Sequence, residues 1–258
     1  MQSFKRKDVF LLAIGLIVFT GFFSLNLNII QAFPTSPSTP FMAGMSYFSQ
    51  GEYDKAISEF EKSIQLDPNH TESYYYLGQC YLQKGILEYN NKHILKAYSF
   101  YRKSYEISEK VIPQYEKMIK DNPEDLNSYL RLGYIYEIRS IIPFNNEYDK
   151  ALEYYLKALD LVTSSSTAGN TGIIVYLNTR VGCIYFEKKK YSQAIEYLEK
   201  AAEVSPQNAE VIYYLGMSYD KIGEKEKARE LLSRVIGIAP QSEYAREAEK
   251  KLTRINKD

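Results

Sequence analysis

The stretch ESYYYLGQCYLQKG, Glu72–Gly85, sets three tyrosines in a row ahead of Leu-Gly and a fourth tyrosine. The rings are either a surface for stacking on a ligand or the packing of a fold. With 25 tyrosines and no tryptophan in 258 residues, the answer matters along the whole chain. A second copy directs the reading: EVIYYLGMSYDKIG, Glu210–Gly223, matches the first almost position by position. Similarity at a fixed period marks a repeat architecture. The period here is 34, the spacing of Gly44 and Gly78, Gly182 and Gly216, Ala194 and Ala228, and Pro206 and Pro240.

This resembles the tetratricopeptide repeat (TPR) family, a helix-turn-helix unit of about 34 residues. The family pattern has a large residue at position four, Leu-Gly at seven and eight, and Tyr at eleven. Ala at twenty, an aromatic at twenty-four, Ala at twenty-seven and Pro at thirty-two complete it. Residues 209–242 read Ile212, Leu215, Gly216, Tyr219, Ala228, Leu232, Val235 and Pro240. Residues 175–208 and 37–70 read the same way, through Gly182, Tyr185, Ala194 and Leu198, and through Gly44, Tyr47, Ala56 and Phe60.

Two middle units are stretched. Gly78 and the next matching glycine, Gly133, are 55 apart, and the extra segment Ile86–Pro123 is helical in pattern, with Pro113 as a kink or helix start. The expected layout is a repeat at 37–70, one at 71–125 with an insertion or a hidden extra repeat, and one at 126–174. The third has an enlarged turn, SIIPFNN, and a Ser/Thr/Gly linker, TSSSTAGNTG. Repeats at 175–208 and 209–242 and a capping helix at 243–258 complete the array. The resemblance implies an all-α fold, a right-handed α-solenoid of about five TPR helix-turn-helix repeats plus a C-terminal capping helix. Tyr74, Tyr81, Tyr136, Tyr185 and Tyr219 then fall on core positions.

The N-terminus reads differently. Residues 1–8 carry Lys5, Arg6 and Lys7, and residues 9–30 are mostly Leu, Ile, Val and Phe. At 1.5 Å per residue, that run just crosses a bilayer core of about 30 Å. No Lys or Arg follows until Lys55, so charge asymmetry puts the N-terminus in the cytoplasm and the repeats on the extracytoplasmic side, periplasmic or extracellular. A Pro/Ser/Thr linker occupies 31–40. The alternative is a signal peptide cleaved after Ala32 and a secreted or periplasmic protein, but Ile30 is bulky for that cut.

In the family, the inner face of the first helices lines a groove for a peptide or partner protein. Mapped here, that groove holds Tyr75, Tyr76 and Gln79, then Asn127, Leu130, Arg131 and Tyr134. It continues through Tyr176, Thr179 and Arg180, and through Tyr213, Tyr214 and Met217. These residues exceed what the repeat pattern needs, and tyrosine and arginine are common interface anchors. They are expected to lie outside the core stripe, so that truncating them barely affects folding. The clamp by which chaperone-binding members grip a terminal carboxylate is absent, since Phe41, Met45 and Tyr76 stand where lysine and asparagine are needed.

Other functions find little support. The 32 basic and 32 acidic residues cancel, which argues against a nucleic-acid partner. No nucleophile elbow, Walker loop, zinc-protease or dinucleotide fingerprint occurs, so no catalytic, cofactor or metal residue is assigned. Cys80 and Cys183 read as packing residues, and His70 as part of an ordinary inter-repeat turn. The expectation is a membrane-tethered scaffold that binds a partner protein in an envelope or membrane assembly. A self-associating structural component of such an assembly, and hence a homo-oligomer, is the alternative.

Overall fold

The computed structural model describes residues 40–141, 146–164 and 170–255. The apolar run 9–30 and most of the linker lie outside these residues. Among the described residues there are eleven α-helices and no strand, and no helix is long and apolar enough to cross a membrane. They divide into two compact units, with the boundary between Asn145 and Asn146.

The first unit holds α1 (Pro40–Ser49), α2 (Tyr53–Leu66), α3 (Thr71–Asn90), α4 (Ile94–Asp121) and α5 (Leu126–Ile141). Each helix packs on the next in chain order. The apolar stripe of α2 is typical: Ala56, Ile57, Phe60 and Ser63 are buried at three- and four-residue spacing. The first hairpin closes at Gly44, where an added Cβ would stand 2.7 Å from the Phe60 ring. Its turn needs a left-handed residue, which Gly51 supplies at φ 75°.

The second hairpin, α3–α4, is shifted by seven residues against the expected register. A Cβ on Gly78 would meet nothing nearer than Ile107, at 3.5 Å, whereas one on Gly85 would stand 2.5 Å from the Tyr101 ring. Gly85 and Tyr101 are sixteen apart, as Gly44 and Phe60 are. The left-handed turn residue is Lys92, φ 62°, seven residues after the expected place. Thr71–Leu77 therefore extends α3 by about two turns ahead of the repeat proper. The stretch 86–125 contains no second hairpin: it is the end of α3, a turn and one continuous 28-residue helix with Pro113 inside it. His70, read from sequence as a simple turn residue, caps α3 by accepting from the Ser73 amide.

The second unit holds α6 (Tyr148–Ser164), α7 (Thr171–Glu187), α8 (Tyr191–Val204), α9 (Ala209–Lys221), α10 (Lys225–Ile238) and α11 (Glu243–Ile255). Here the expected register stands. Added Cβ atoms on Gly182 and Gly216 would lie 2.6 Å from Leu198 and 3.2 Å from Leu231 and Leu232. Lys189 (φ 59°) and Gly223 (φ 90°) take the left-handed turn positions. The side chain of Asn208 caps α9, accepting from the amides of Glu210 and Val211. The last helix, α11, packs on α10 and buries Tyr244, Ala245, Ala248 and Ile255, while Leu252 stays half-buried.

Candidate functional site

In the first unit, Tyr75 and Tyr76 are consecutive on α3 and their rings meet edge to face at 5.2 Å. The Arg131 guanidinium, from α5, lies 4.0 Å from the Tyr75 ring centre and 5.3 Å from that of Tyr76. Its Nη2 donates to the Tyr76 hydroxyl and to Glu72 Oε2, both at 3.3 Å. The Tyr115 hydroxyl, from α4, donates to the other Glu72 oxygen at 2.8 Å. One carboxylate, one guanidinium and three phenol rings thus join three helices. Tyr134 extends the seam by donating to Gln79 Oε1 at 3.1 Å.

The second unit repeats the theme with different partners. Tyr213 and Tyr214 on α9 meet edge to face at 5.5 Å, and Tyr244 of α11 lies 5.3 Å from Tyr213. Arg180 of α7 pairs with Glu210 at the start of α9 and is only 1% exposed. Tyr176 shares a 3.3 Å hydroxyl contact with Tyr155 of α6.

This geometry corrects the sequence reading in one respect. Tyr75, Tyr76, Gln79, Leu130, Arg131 and Tyr134 are buried, as are Tyr176, Thr179, Arg180, Tyr213 and Tyr214. They do not stand clear of the core; they are its seams between neighbouring helices. Truncating Tyr76 or Arg131 would therefore open a cavity or strand Glu72, so the expected indifference of folding does not hold. Of the mapped groove residues, Asn127 is exposed and Met217 half-buried.

The exchange runs the other way too. Among the tyrosines assigned to the core, Tyr136 and Tyr185 are buried, but Tyr74, Tyr81 and Tyr219 are half-exposed. Tyr81 and Tyr219 act as ties between hairpins: each donates to a glutamate twenty residues earlier, Glu61 and Glu199. Partial burial and the Glu199 contact push the Tyr219 phenol up to about 12. Burial also pushes the phenols of Tyr75, Tyr115 and Tyr214 well above their ordinary value. In the folded state these rings work as neutral packing and hydrogen-bonding groups.

The seven-residue shift of the second hairpin leaves slack beside Gly78. A cleft of about 30 Å³ opens there between α3, α4 and α5, with Tyr74, Gln79, Tyr105, Ile107 and Arg139 on its walls. It has room for about one water, or for the tip of an inserted side chain, and not for a cofactor. Arg139 reaches Tyr105 at 2.7 Å and Ser108 at 3.3 Å, and pairs with Glu109. Both cysteines are buried and free, and no cluster of metal-ligating side chains occurs among the described residues.

Comparison with known proteins places this architecture. Residues 44–85 match a TPR repeat family model, and residues 185–252 a tetratricopeptide repeat model. A TPR repeat-containing protein of Methanocaldococcus jannaschii, MJ1428, is 25% identical over 82% of this chain and 44% of its own length. The BBSome complex member BBS4 of Bos taurus is 25% identical over 78% of this chain and 32% of its own. The chain thus spans less than half the length of these curated relatives. Among solved structures, MamA overlays with a TM-score of 0.53 at 17% identity, covering 79% of this chain and 99% of MamA. YrrB, described as a TPR protein with an unusual peptide-binding site, overlays at 0.51 and 19% identity, covering 82% and 90%. At that identity the likeness is one of fold alone.

Proposed function

We propose that this chain, whose residues 44–85 and 185–252 match tetratricopeptide repeat models, is a protein-interaction scaffold tethered to a membrane through residues 9–30. The repeats face the extracytoplasmic side, and the partner is a protein or peptide of an envelope or membrane complex. The observation that carries the reading is the buried arginine–tyrosine–glutamate seam, built once in each unit. Such a seam fixes helix spacing and so presents a preformed surface, which lowers the ordering cost of binding. Relatives described as members of multi-protein assemblies, BBS4 and anaphase-promoting complex subunit 3, support the same class of work. In this reading the partner contacts what remains accessible at the rim of the seams. In the first unit that is Asn127 and the mouth of the cleft at Tyr74; in the second it is Met217. The tether would raise the local concentration of partners at the membrane.

The test has two arms. Asn127→Arg with Met217→Arg should abolish capture of the partner by the full chain while leaving its melting temperature in place. Lys189→Ala, on an exposed turn, should change neither. Undiminished capture by the double arginine variant would place the interface elsewhere. For the tether, carbonate extraction should leave the full-length chain with the membrane. A mature N-terminus at Phe33 would instead establish the cleaved, secreted form.

A further inference from the structure

Two lysines of α4 stand without a counter-charge beside the cleft over Gly78. Arg102 pairs with Glu106 and Arg139 with Glu109, which engages both carboxylates of residues 102–110. Lys103 and Lys110 are exposed and have no ion-pair partner among the described residues. Their ammonium groups lie against rings of α3, 5.0 Å from the centre of Tyr81 and 6.0 Å from that of Tyr74. Tyr74 and Tyr81 are seven apart on α3, and so are the two lysines on α4. Seven residues make nearly two turns, so the helices meet across two tyrosine–lysine rungs about 10 Å apart.

Between the rungs, Gly78 lies opposite Ile107, and the cleft of about 30 Å³ opens there. Its buried lining includes the aliphatic side chains of Val111, Ile135 and Ile138. Glycine is a poor choice for the interior of a helix. An alanine methyl here would sit in ordinary contact with Ile107, at 3.5 Å, so packing does not require the glycine. What its missing side chain does is keep a notch open. The notch is apolar, and a lysine with no carboxylate partner stands on either side of it.

We propose that this face of the α3–α4 hairpin docks an extended acidic segment of the partner protein. One aliphatic side chain enters the notch over Gly78, and a carboxylate on either side of it meets Lys103 and Lys110. The inference rests on the scaffold reading and names the partner's chemistry. The site lies between the two helices of one hairpin and not along the row of first helices. A notch this small admits the tip of one side chain, so a helix about 10 Å across cannot settle into it, whereas an extended chain can. In an extended segment alternate side chains share a face, and residues one and five are about 13 Å apart. Acid, aliphatic and acid at positions one, three and five therefore meet lysine, notch and lysine in turn, with the flexible stems closing the small difference in span. Positive charge on both sides of an apolar slot selects that pattern over a basic or a wholly aliphatic one.

The experiment titrates the detergent-solubilised full chain into fluorescein-labelled peptides and reads anisotropy, with circular dichroism of each variant as the check on folding. The probe has the sequence ESLSE; ESSSE lacks the aliphatic side chain and QSLSQ lacks the charges. The expected result is saturable binding of ESLSE, weakened roughly tenfold in either control peptide. Lys103→Gln with Lys110→Gln should weaken ESLSE roughly tenfold, the size expected of two exposed ion pairs. Gly78→Leu fills the notch and should bring ESLSE down to the level of ESSSE. Gly78→Ala, which an ordinary contact with Ile107 accommodates, should weaken it roughly threefold, about one methyl's share of the contact. ESLSE binding that neither the lysine changes nor the QSLSQ exchange alters overturns the acidic assignment. Equal binding of ESSSE, or binding that folded Gly78 variants leave unchanged, overturns the notch. Failure of ESLSE to bind at all overturns the docking site. The scaffold reading falls on a different result, undiminished partner capture by the Asn127→Arg, Met217→Arg variant.

Discussion

Gly78 and Gly85 stand about two helical turns apart on α3, and only one of them is a packing site. The Tyr101 ring fills the space over Gly85, and being buried itself it cannot swing away. Gly78 faces the cleft with ordinary clearance to Ile107. Gly78→Ala should therefore leave stability unchanged or raise it by up to about 1 kcal/mol, the helix-propensity gain. Gly85→Ala should cost about 1–3 kcal/mol through overpacking. Urea unfolding of the two variants checks this, and a neutral Gly85→Ala would remove the shifted register. From sequence, both glycines look alike. Seven residues is nearly two whole turns, so a slip of that size preserves the apolar stripe and leaves no trace in the pattern. The leucine–glycine pair at Leu77 and Gly78 then marks the wrong turn of a correctly recognised helix.

The helices themselves were legible, since their apolar stripes, the glycines Gly44, Gly78, Gly182 and Gly216 and the inter-repeat prolines recur with the 34-residue spacing. The docking of the last one was legible in part. Ala245, Ala248 and Ile255 face inward as their spacing requires, but Tyr244 joins them and Leu252 does not fully follow. The sequence gives no hint that α11 is also held by charge. Asp220 on α9 accepts from Lys251 on α11 and from Lys225, at 3.1 Å, on α10. Burial alone would raise its carboxyl, but the two lysines outweigh this and hold it below its ordinary 3.8. A folded-state value below the unfolded one stabilises fully above the ordinary value and is lost as pH falls through the lowered one. Amide exchange should therefore show α11 losing protection ahead of α9 and α10 as pH drops below about 3.8. Asp220→Asn should loosen α11 already at neutral pH and remove that acid dependence. Equal acid sensitivity in wild type and variant would mean the lysine ties contribute nothing.

For the whole molecule, the period, the all-α class and the close helix contacts were readable, because each follows from the spacing of small and large residues along one helix. Which side of a first helix becomes covered was not. Positions five and six sit beside the core stripe, and whether they are buried depends on neighbours far along the chain, such as Tyr115 against Tyr75 and Tyr244 against Tyr213. The tyrosine-rich seams have a consequence in alkali. Burial holds the phenols of Tyr75, Tyr115, Tyr213 and Tyr214 above the ordinary 10.0, and the tie residue Tyr219 is pushed up to about 12, so these groups contribute stability that is complete below pH 10 and lost as pH rises through their folded values. Tyrosinate absorbance and far-ultraviolet circular dichroism should change together above that pH; ionisation of most rings with the helices intact would contradict it.

The central claim is that the rings at positions five and six are seams of the fold, and chemical nitration of the native chain read by mass spectrometry tests it most directly. Tyr98, exposed on α4, and the half-exposed Tyr74 and Tyr81 should react first. Tyr75, Tyr76, Tyr213 and Tyr214 should stay unmodified until denaturant unfolds the chain. Nitration of these four at the rate of Tyr98, with native circular dichroism retained, would show that they line an open groove.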